Sequence, residues 1–365
     1  MRMMITGGGT GGHTSPAVAI IEELRSRDPK LILQWVGRRG GIEERVSEAC
    51  GVAFRPVAVS GWPRKRSLRR AWVAAQLAWA VLRCMVFIRK FRPQIVLGVG
   101  GYVSLPLMLA AQRMGVPTAL HEQNKRLGMA NRMAAARAAC IFLGYEDTLG
   151  EFPRERALVV GNPVRSGFLA PPSQAEARAA LGLRDDVPVV LICGGSQGAR
   201  TLNRAVADML PTFRTDDAQF IWMTGVTDAA EAREAVHGLE VTALVFPFID
   251  DMAQACAAAD LVVTRAGAST TAELAVLGKP SVLVPYPHAT DNHQEQNARA
   301  FEAAGASVFL ADDACQGPAL ASTIRGLTEA PEHLESMGRA AKALGHPLAA
   351  ERVAESLMEL VFVET

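Results

Sequence analysis

Several segments of this 365-residue chain carry glycine at a spacing that suits an anion. Gly7, Gly9 and Gly12 satisfy G-x-G-x-x-G, and five of the six residues from Gly7 to Gly12 are glycine. Such a loop lets the backbone approach a phosphate closely, while the helix after it offers unpaired N–H groups and a partial positive charge. The usual ligand is a dinucleotide, whose ribose needs an acidic residue near the end of the second strand. That strand ends here in Gly37-Arg38-Arg39. An NADP site with Arg38 on the extra phosphate is one reading; a different phosphorylated ligand is the other. A second cluster, Gly98-Val-Gly-Gly-Tyr-Val-Ser104, also lies between a strand and a helix. A dehydrogenase has no use for a second anion loop in the same sheet, whereas a ligand with its own diphosphate would use one.

The second half repeats the pattern. Gly194-Gly-Ser-Gln-Gly198 offers backbone N–H groups and the Ser196 hydroxyl. Further on, Thr264-Arg-Ala-Gly-Ala-Ser-Thr-Thr-Ala-Glu-Leu274 runs from strand to helix, with Ser269 and Thr270 at cap positions. Thr270 and Glu273 have the spacing of a capping box. Alternatively, the N-terminal N–H groups hold phosphate and Glu273 bonds both hydroxyls of a ribose. The two readings compete for one carboxylate.

Loops of this kind need parallel strands to aim them, and the chain supplies the pattern. Short β-branched runs alternate with longer helical periods, as in sheets with crossover helices. Expected strands are Met3–Thr6, Leu31–Val36, Phe54–Val59, Ile95–Gly98, Thr118–His121, Cys140–Leu143 and Leu158–Val160. After the linker signals in Gly161-Asn-Pro-Val-Arg165 and Ala170-Pro-Pro-Ser173 come Pro188–Cys193, Phe220–Thr224, Leu244–Pro247, Leu261–Thr264, Ser281–Pro285 and Val308–Leu310. The fold class is α/β: two Rossmann-like, doubly wound domains facing a cleft. The boundaries read as 1–164 and 165–346, with a last helix, 347–365, for which the first and the second domain are both open as packing partners.

Charge divides along the same line. Residues 1–165 hold 25 Lys and Arg against 11 Asp and Glu, while the remainder holds 13 against 26. The first half alone is therefore suited to a polyanionic surface. Six scattered cysteines without a CxxC pair read as buried thiols in a reducing compartment. The start runs directly into a strand and glycine loop, so a cytoplasmic location without a signal peptide is expected.

Taken together, Gly8-Gly-Thr-Gly-Gly-His13, Gly100-Gly-Tyr-Val-Ser104, His121-Glu-Gln-Asn124, Gly161-Asn-Pro-Val-Arg165, Gly194-Gly-Ser-Gln-Gly-Ala-Arg200, Arg265-Ala-Gly-Ala-Ser-Thr-Thr-Ala-Glu273 and Asp291-Asn-His-Gln294 resemble the MurG family. Its members are bacterial UDP-N-acetylglucosamine transferases of GT-B fold that convert lipid I to lipid II in peptidoglycan synthesis. Single motifs are generic to the fold; the ordered set is specific. The resemblance implies that the second domain holds UDP-GlcNAc: the Ile249 backbone against uracil, Glu273 on the ribose, and Ser196 with Ala268, Ser269, Thr270, Thr271 and Ala272 near the diphosphate. Gln294, beside His293, would reach the sugar. Thr10, Gly11, Gly12, Asn124 and Arg165 would complete the donor site, and the first domain's loops would face the diphosphate of the lipid-linked acceptor. Two positions depart from the family pattern: Ser269 stands where an apolar residue is usual, and Ala266 where serine is frequent.

The implied reaction is an inverting displacement at the anomeric carbon by the C4 hydroxyl of the lipid-linked muramoyl group, through an oxocarbenium-like transition state. Helix N-termini can receive the charge of departing UDP, so no metal or other cofactor is expected. The adjacent pairs Asp250-Asp251 and Asp312-Asp313 read as caps or surface acids. His13, ending the first glycine loop and titrating near neutral pH, is the favoured catalytic base, with Glu122 second. An epimerase of the same fold and an NADP-dependent oxidoreductase are the alternatives.

Between Ser60 and Val96 there are nine basic residues and no acidic one. Arg69, Gln76, Arg83 and Lys90 form one polar stripe on an otherwise apolar helix expected over 66–92, flanked by Trp72 and Trp79. Two readings stand: a helix on an anionic bilayer, or a crossover helix with a solvated face. The expected location is the cytoplasmic face of the bacterial plasma membrane, held peripherally. No nucleic acid partner is expected, and other cell-wall synthesis proteins are candidate partners.

Overall fold

The computed structural model describes residues 1–9, 11–61, 69–195 and 198–362. All thirteen expected segments form strands, their ends displaced by no more than two residues. In the first unit these are β1 (Arg2–Thr6), β2 (Ile32–Arg38), β3 (Ala53–Val57), β4 (Ile95–Gly98), β5 (Thr118–Glu122), β6 (Cys140–Leu143) and β7 (Ala157–Val159). The second holds β8 (Val189–Cys193), β9 (Gln219–Met223), β10 (Ala243–Phe246), β11 (Leu261–Thr264), β12 (Ser281–Leu283) and β13 (Ser307–Phe309).

Every pairing is parallel, in the orders β3-β2-β1-β4-β5-β6-β7 and β10-β9-β8-β11-β12-β13. Parallel sheets are covered on both faces, and the central strands show why these residues suit one: all of β4 and all of β8 are buried. The expectation of two doubly wound α/β units is met.

Side-chain alternation on β1 divides the first core. Met3 and Ile5 join Trp35 and Leu97 beneath the helices Gly11–Arg27 and Ala349–Phe362. Met4 points to the other face, with Val36 and Val96, under the helices Arg69–Phe91 and Leu105–Arg113. The chain divides into Met1–Ser166 plus the segment from His346 on, and Gly167–Gly345. The return of the C-terminal helix is an apolar matter: Val353, Ala354, Leu357 and Val361 are buried with Ile20, Ile21 and Leu24.

In each sheet the strand order reverses once, between β1 and β4 and between β8 and β11. A doubly wound sheet leaves a crevice at the carboxyl ends of such strands, where ligands bind.

Candidate functional site

In the first unit the loops leaving β1 and β4 meet at the switch point. Gly8 N donates to Gly100 O at 3.3 Å. A Cβ on Gly101 would lie 2.3 Å from Gly8 O, so only glycine allows this approach. The rest of the first loop is also tied down. Trp35 Nε1 donates to Gly7 O at 3.2 Å, and the buried Glu43 carboxylate accepts from Gly9 N at 3.2 Å and Arg38 N at 2.8 Å. Thr10 lies outside the described residues. The helix begins at Gly11, so its first turn is built from Gly11, Gly12 and His13.

His13 is half-buried and its ring lies against the second loop: a Cβ on Gly100 would be 2.7 Å from His13 Cδ2. The same place receives the end of β5. His121 is fully buried; its Nε2 stands 3.2 Å from Gly161 O, which fixes the proton on that nitrogen. Burial pushes the His121 imidazole down to about 4, with the nearby His13 charge adding to the effect against the hydrogen bond. His121 is therefore neutral at pH 7.

Glu122 is buried and accepts four hydrogen bonds. Oε1 takes Asn124 N and Asn124 Nδ2, both at 3.1 Å; Oε2 takes Gly128 N at 2.8 Å and Asn131 Nδ2 at 2.9 Å. Burial holds the carboxyl above the ordinary range, and these four donors oppose it. Both oxygens are thus engaged in shaping the loop after β5, which leaves the proton-abstracting role expected of Glu122 without a lone pair in reach. The Asn124 amide is engaged in the same turn. Arg165 is half-buried at the end of the first unit.

In the second unit β8 leads to Gly194 and Gly195; Ser196 and Gln197 lie outside the described residues. β11 leads through Arg265, Ala266 and Gly267 into the helix Ala268–Leu277. Gly267 is the N-cap and no side chain caps the helix, so the Thr270–Glu273 capping box does not form. The helix starts earlier than that reading requires, which presents the N–H groups of Ala268, Ser269 and Thr270 at the switch point. Thr271 turns inward, its Oγ1 donating to Gly267 O at 3.2 Å or Ala268 O at 3.1 Å. Ser269 is buried, and Ala272 and Glu273 are half-buried in the second turn. Glu273 lies close to the end of β8: burial pushes the Cys193 thiol up to about 11, and the Glu273 charge adds to it.

Ile249 follows β10, half-buried, and the next turn is held by Asp251, whose Oδ1 caps Gln254 N at 2.9 Å. Gln294 Oε1 accepts from Tyr286 N at 2.9 Å. His293 Nδ1 is 2.7 Å from Thr290 O. Both follow Asp291 and Asn292, two non-glycine residues at φ of 53° and 55°. Asp and Asn tolerate left-handed backbone better than other non-glycine residues, which suits them to this turn.

Glu43, His121 and Asp312 were absent from the sequence-based site. Asp312 is neither cap nor surface acid: its Oδ1 pairs with Arg265 at 2.5 Å. Gly9, Gly161 and Arg265, which engage Glu43, His121 and Asp312 in turn, are remote from them along the chain, so no local pattern signals these contacts.

A tandem pair of doubly wound units, each with a glycine loop at its switch point, is the architecture of the GT-B fold. Residues 3–143 match the glycosyltransferase family 28 N-terminal domain, and residues 189–353 its C-terminal domain. A relative from Desulfitobacterium hafniense, 38% identical, covers 98% of this chain and 99% of its own length. One from Syntrophotalea carbinolica is 40% identical, with 97% of each chain covered. Both are named UDP-N-acetylglucosamine–N-acetylmuramyl-(pentapeptide) pyrophosphoryl-undecaprenol N-acetylglucosamine transferase. Acinetobacter baumannii MurG is similar in structure, with a TM-score of 0.76, 25% identity and 98% and 99% of the two chains covered. A Neisseria meningitidis UDP-GlcNAc 2-epimerase, at 14% identity and a TM-score of 0.69 over 98% of this chain and all of its own, shares the fold alone. The chain belongs to glycosyltransferase family 28 and, within it, to the MurG family.

Proposed function

We propose that this enzyme transfers N-acetylglucosamine from UDP-GlcNAc to the C4 hydroxyl of an undecaprenyl-diphosphate-linked N-acetylmuramoyl-pentapeptide, with inversion, converting lipid I to lipid II. The observation that carries it is one set of anion-accepting loops per unit, in a chain whose full-length relatives are named for this transfer. The second unit serves the donor. Its helix N–H groups at Ala268, Ser269 and Thr270 take the diphosphate, with Ser196; Glu273 takes the ribose, the Ile249 backbone the uracil and Gln294 the sugar. The first unit serves the acceptor, whose diphosphate faces the loops after β1 and β4. Thr10, Gly11, Gly12, Asn124 and Arg165 are the further substrate-binding residues, all of the first unit.

In the transfer the acceptor oxygen bonds to the anomeric carbon as the bond to UDP breaks. The hydroxyl proton passes to His13 and the leaving charge to the helix N-terminus. Glu122 keeps the loop after β5 in shape. Helix N–H groups supply the charge stabilisation a metal would otherwise give, so turnover is expected to persist in EDTA; a loss on chelation overturns that part. The whole assignment is tested with radiolabelled UDP-GlcNAc and lipid I in detergent. Label is expected in the lipid-extractable product only when acceptor is present, and label that stays aqueous in its presence overturns the function.

The first unit also serves peripheral attachment to the cytoplasmic face of the plasma membrane. Supporting this, the helix Arg69–Phe91 buries Val73, Ala80, Cys84 and Ile88 against the sheet yet exposes Trp72 (56%), Trp79 (66%), Leu82 (56%) and Val86 (45%). Among the described residues it is the helix long and apolar enough to cross a bilayer. It joins β3 to β4 in one sheet, however, and lies along that sheet's face.

A further inference from the structure

We propose that Asp312 is a positioning residue of the donor site, acting through Arg265; the inference rests on the donor-site reading above. Arg265 is the first residue after β11 and is 9% exposed. Its Nη1 donates to Val284 O at 3.1 Å or Pro285 O at 3.2 Å, both just past β12, and pairs with Asp312 Oδ1 at 2.5 Å. Asp312 itself follows β13. Its other oxygen, Oδ2, accepts from Thr201 Oγ1 at 3.3 Å, at the start of the helix Arg200–Met209 that the β8 loop leads into. The strands β8, β11, β12 and β13 are neighbours in that order. One ion pair therefore ties together the carboxyl ends of four adjacent strands.

The placement of that pair decides what it can do. Two residues beyond Arg265 the chain reaches Gly267, the N-cap of the helix whose first N–H groups meet the donor diphosphate. Past Pro285 it reaches Tyr286, whose ring centre is 5.8 Å from Arg265 Cζ and whose N–H fixes Gln294. The diphosphate end and the sugar end of the donor are thus referenced to one guanidinium. Carbonyl oxygens orient that group but cannot neutralise it; the counter-charge comes from Asp312. A buried pair held by further hydrogen bonds fixes geometry even where it adds little stability, and breaking one side leaves an uncompensated charge. Without Asp312, Arg265 would be drawn toward the diphosphate and would carry Gly267 out of register.

The test is UDP binding by calorimetry on the folded full-length protein, with donor and acceptor kinetics beside it, for Asp312→Asn and Asp312→Glu. Asp312→Asn is expected to weaken UDP and raise the donor KM by about tenfold or more, the loss of a charge-assisted contact, with acceptor KM unchanged. Asp312→Glu, which restores the charge, is expected to recover most of that affinity. If Asp312→Asn does not fold, the double variant Arg265→Met with Asp312→Leu removes both charges without leaving one unpaired. It is expected to fold and to bind UDP weakly. UDP affinity within about twofold of the wild type in whichever of the two variants folds overturns the proposal. Wild-type protein that binds no UDP overturns instead the donor-site reading on which it rests.

Discussion

His13, His121 and Glu122 crowd one corner of the first unit, and their surroundings give them different work. Glu122 has four donors on two oxygens and His121 is sealed beneath Gly161, whereas His13 is half-buried against a loop that faces the ligand crevice. Replacing His13 with Ala is expected to lower kcat by about 10²- to 10⁴-fold, the usual worth of a positioned base, while UDP affinity stays near normal. Single-turnover rates within a few-fold of wild type would remove His13 from the mechanism. His121 carries a stability prediction instead. Its folded value, about 4, is depressed below the ordinary 6.5, so its contribution is present above pH 6.5 and is lost as pH falls from there toward 4. The loss is on the order of 3 kcal/mol. Urea denaturation across that window should show wild type losing more stability than His121→Gln; parallel profiles would mean that the imidazole titrates freely. His13 and Glu122 were legible from their place in motifs. The division of labour between them was not, because it depends on Asn131 and Gly161, residues whose roles appear only once β5 is laid beside its neighbours.

At the scale of elements, strands and glycine loops were legible because a parallel sheet leaves a strong trace: short β-branched runs, buried on both faces, each followed by a turn. Helix starts were harder. The spacing of Thr270 and Glu273 allows a capping box, but the helix begins at Ala268 because Gly267 turns the chain into it directly. The loop-to-loop contact of the first unit was equally hidden, since G-x-G-x-x-G says nothing of what lies across from it. Gly101 makes that contact testable. Its φ is 78°, and an added Cβ would sit 2.3 Å from a backbone oxygen that cannot swing aside. Gly101→Ala is therefore expected to part the two acceptor-side loops and cut kcat/KM for the lipid acceptor by about tenfold or more, a cost of roughly 1–3 kcal/mol in strained backbone. UDP affinity, which rests chiefly on the loops of the other unit, should fall far less. Acceptor kinetics matching the wild type would show that the contact between the loops has no part in holding the acceptor.

Over the whole molecule, the proposed peripheral attachment would give the charge division a physical use. Net charge close to zero conceals a first half with 25 basic and 11 acidic residues, and a crossover helix in that half keeps tryptophan in water. A crossover helix needs one apolar face, and Val73, Ala80, Cys84 and Ile88 already supply it. The second apolar stripe, Trp72, Trp79, Leu82 and Val86, has no such duty in the sheet, and Arg83, Arg89 and Lys90 are exposed on the same helix. Aromatic and aliphatic side chains entering the headgroup region beside cations would give such attachment two components that respond differently to salt. Three cations near an anionic surface are worth about 1 kcal/mol each. Changing Arg83, Arg89 and Lys90 together to Gln should thus lower partition onto phosphatidylglycerol vesicles by roughly a hundredfold at low ionic strength. The same change should matter little on phosphatidylcholine. Trp72→Ser with Trp79→Ser should weaken binding to both lipids, and this loss should persist at high salt. Turnover on a short-chain acceptor in detergent should survive both sets of changes, because none of these residues belongs to the loops at the switch points. Co-sedimentation equal to wild type for both variants would return the helix to a purely structural role. Loss of detergent turnover together with binding would mean instead that the exposed face supports the fold.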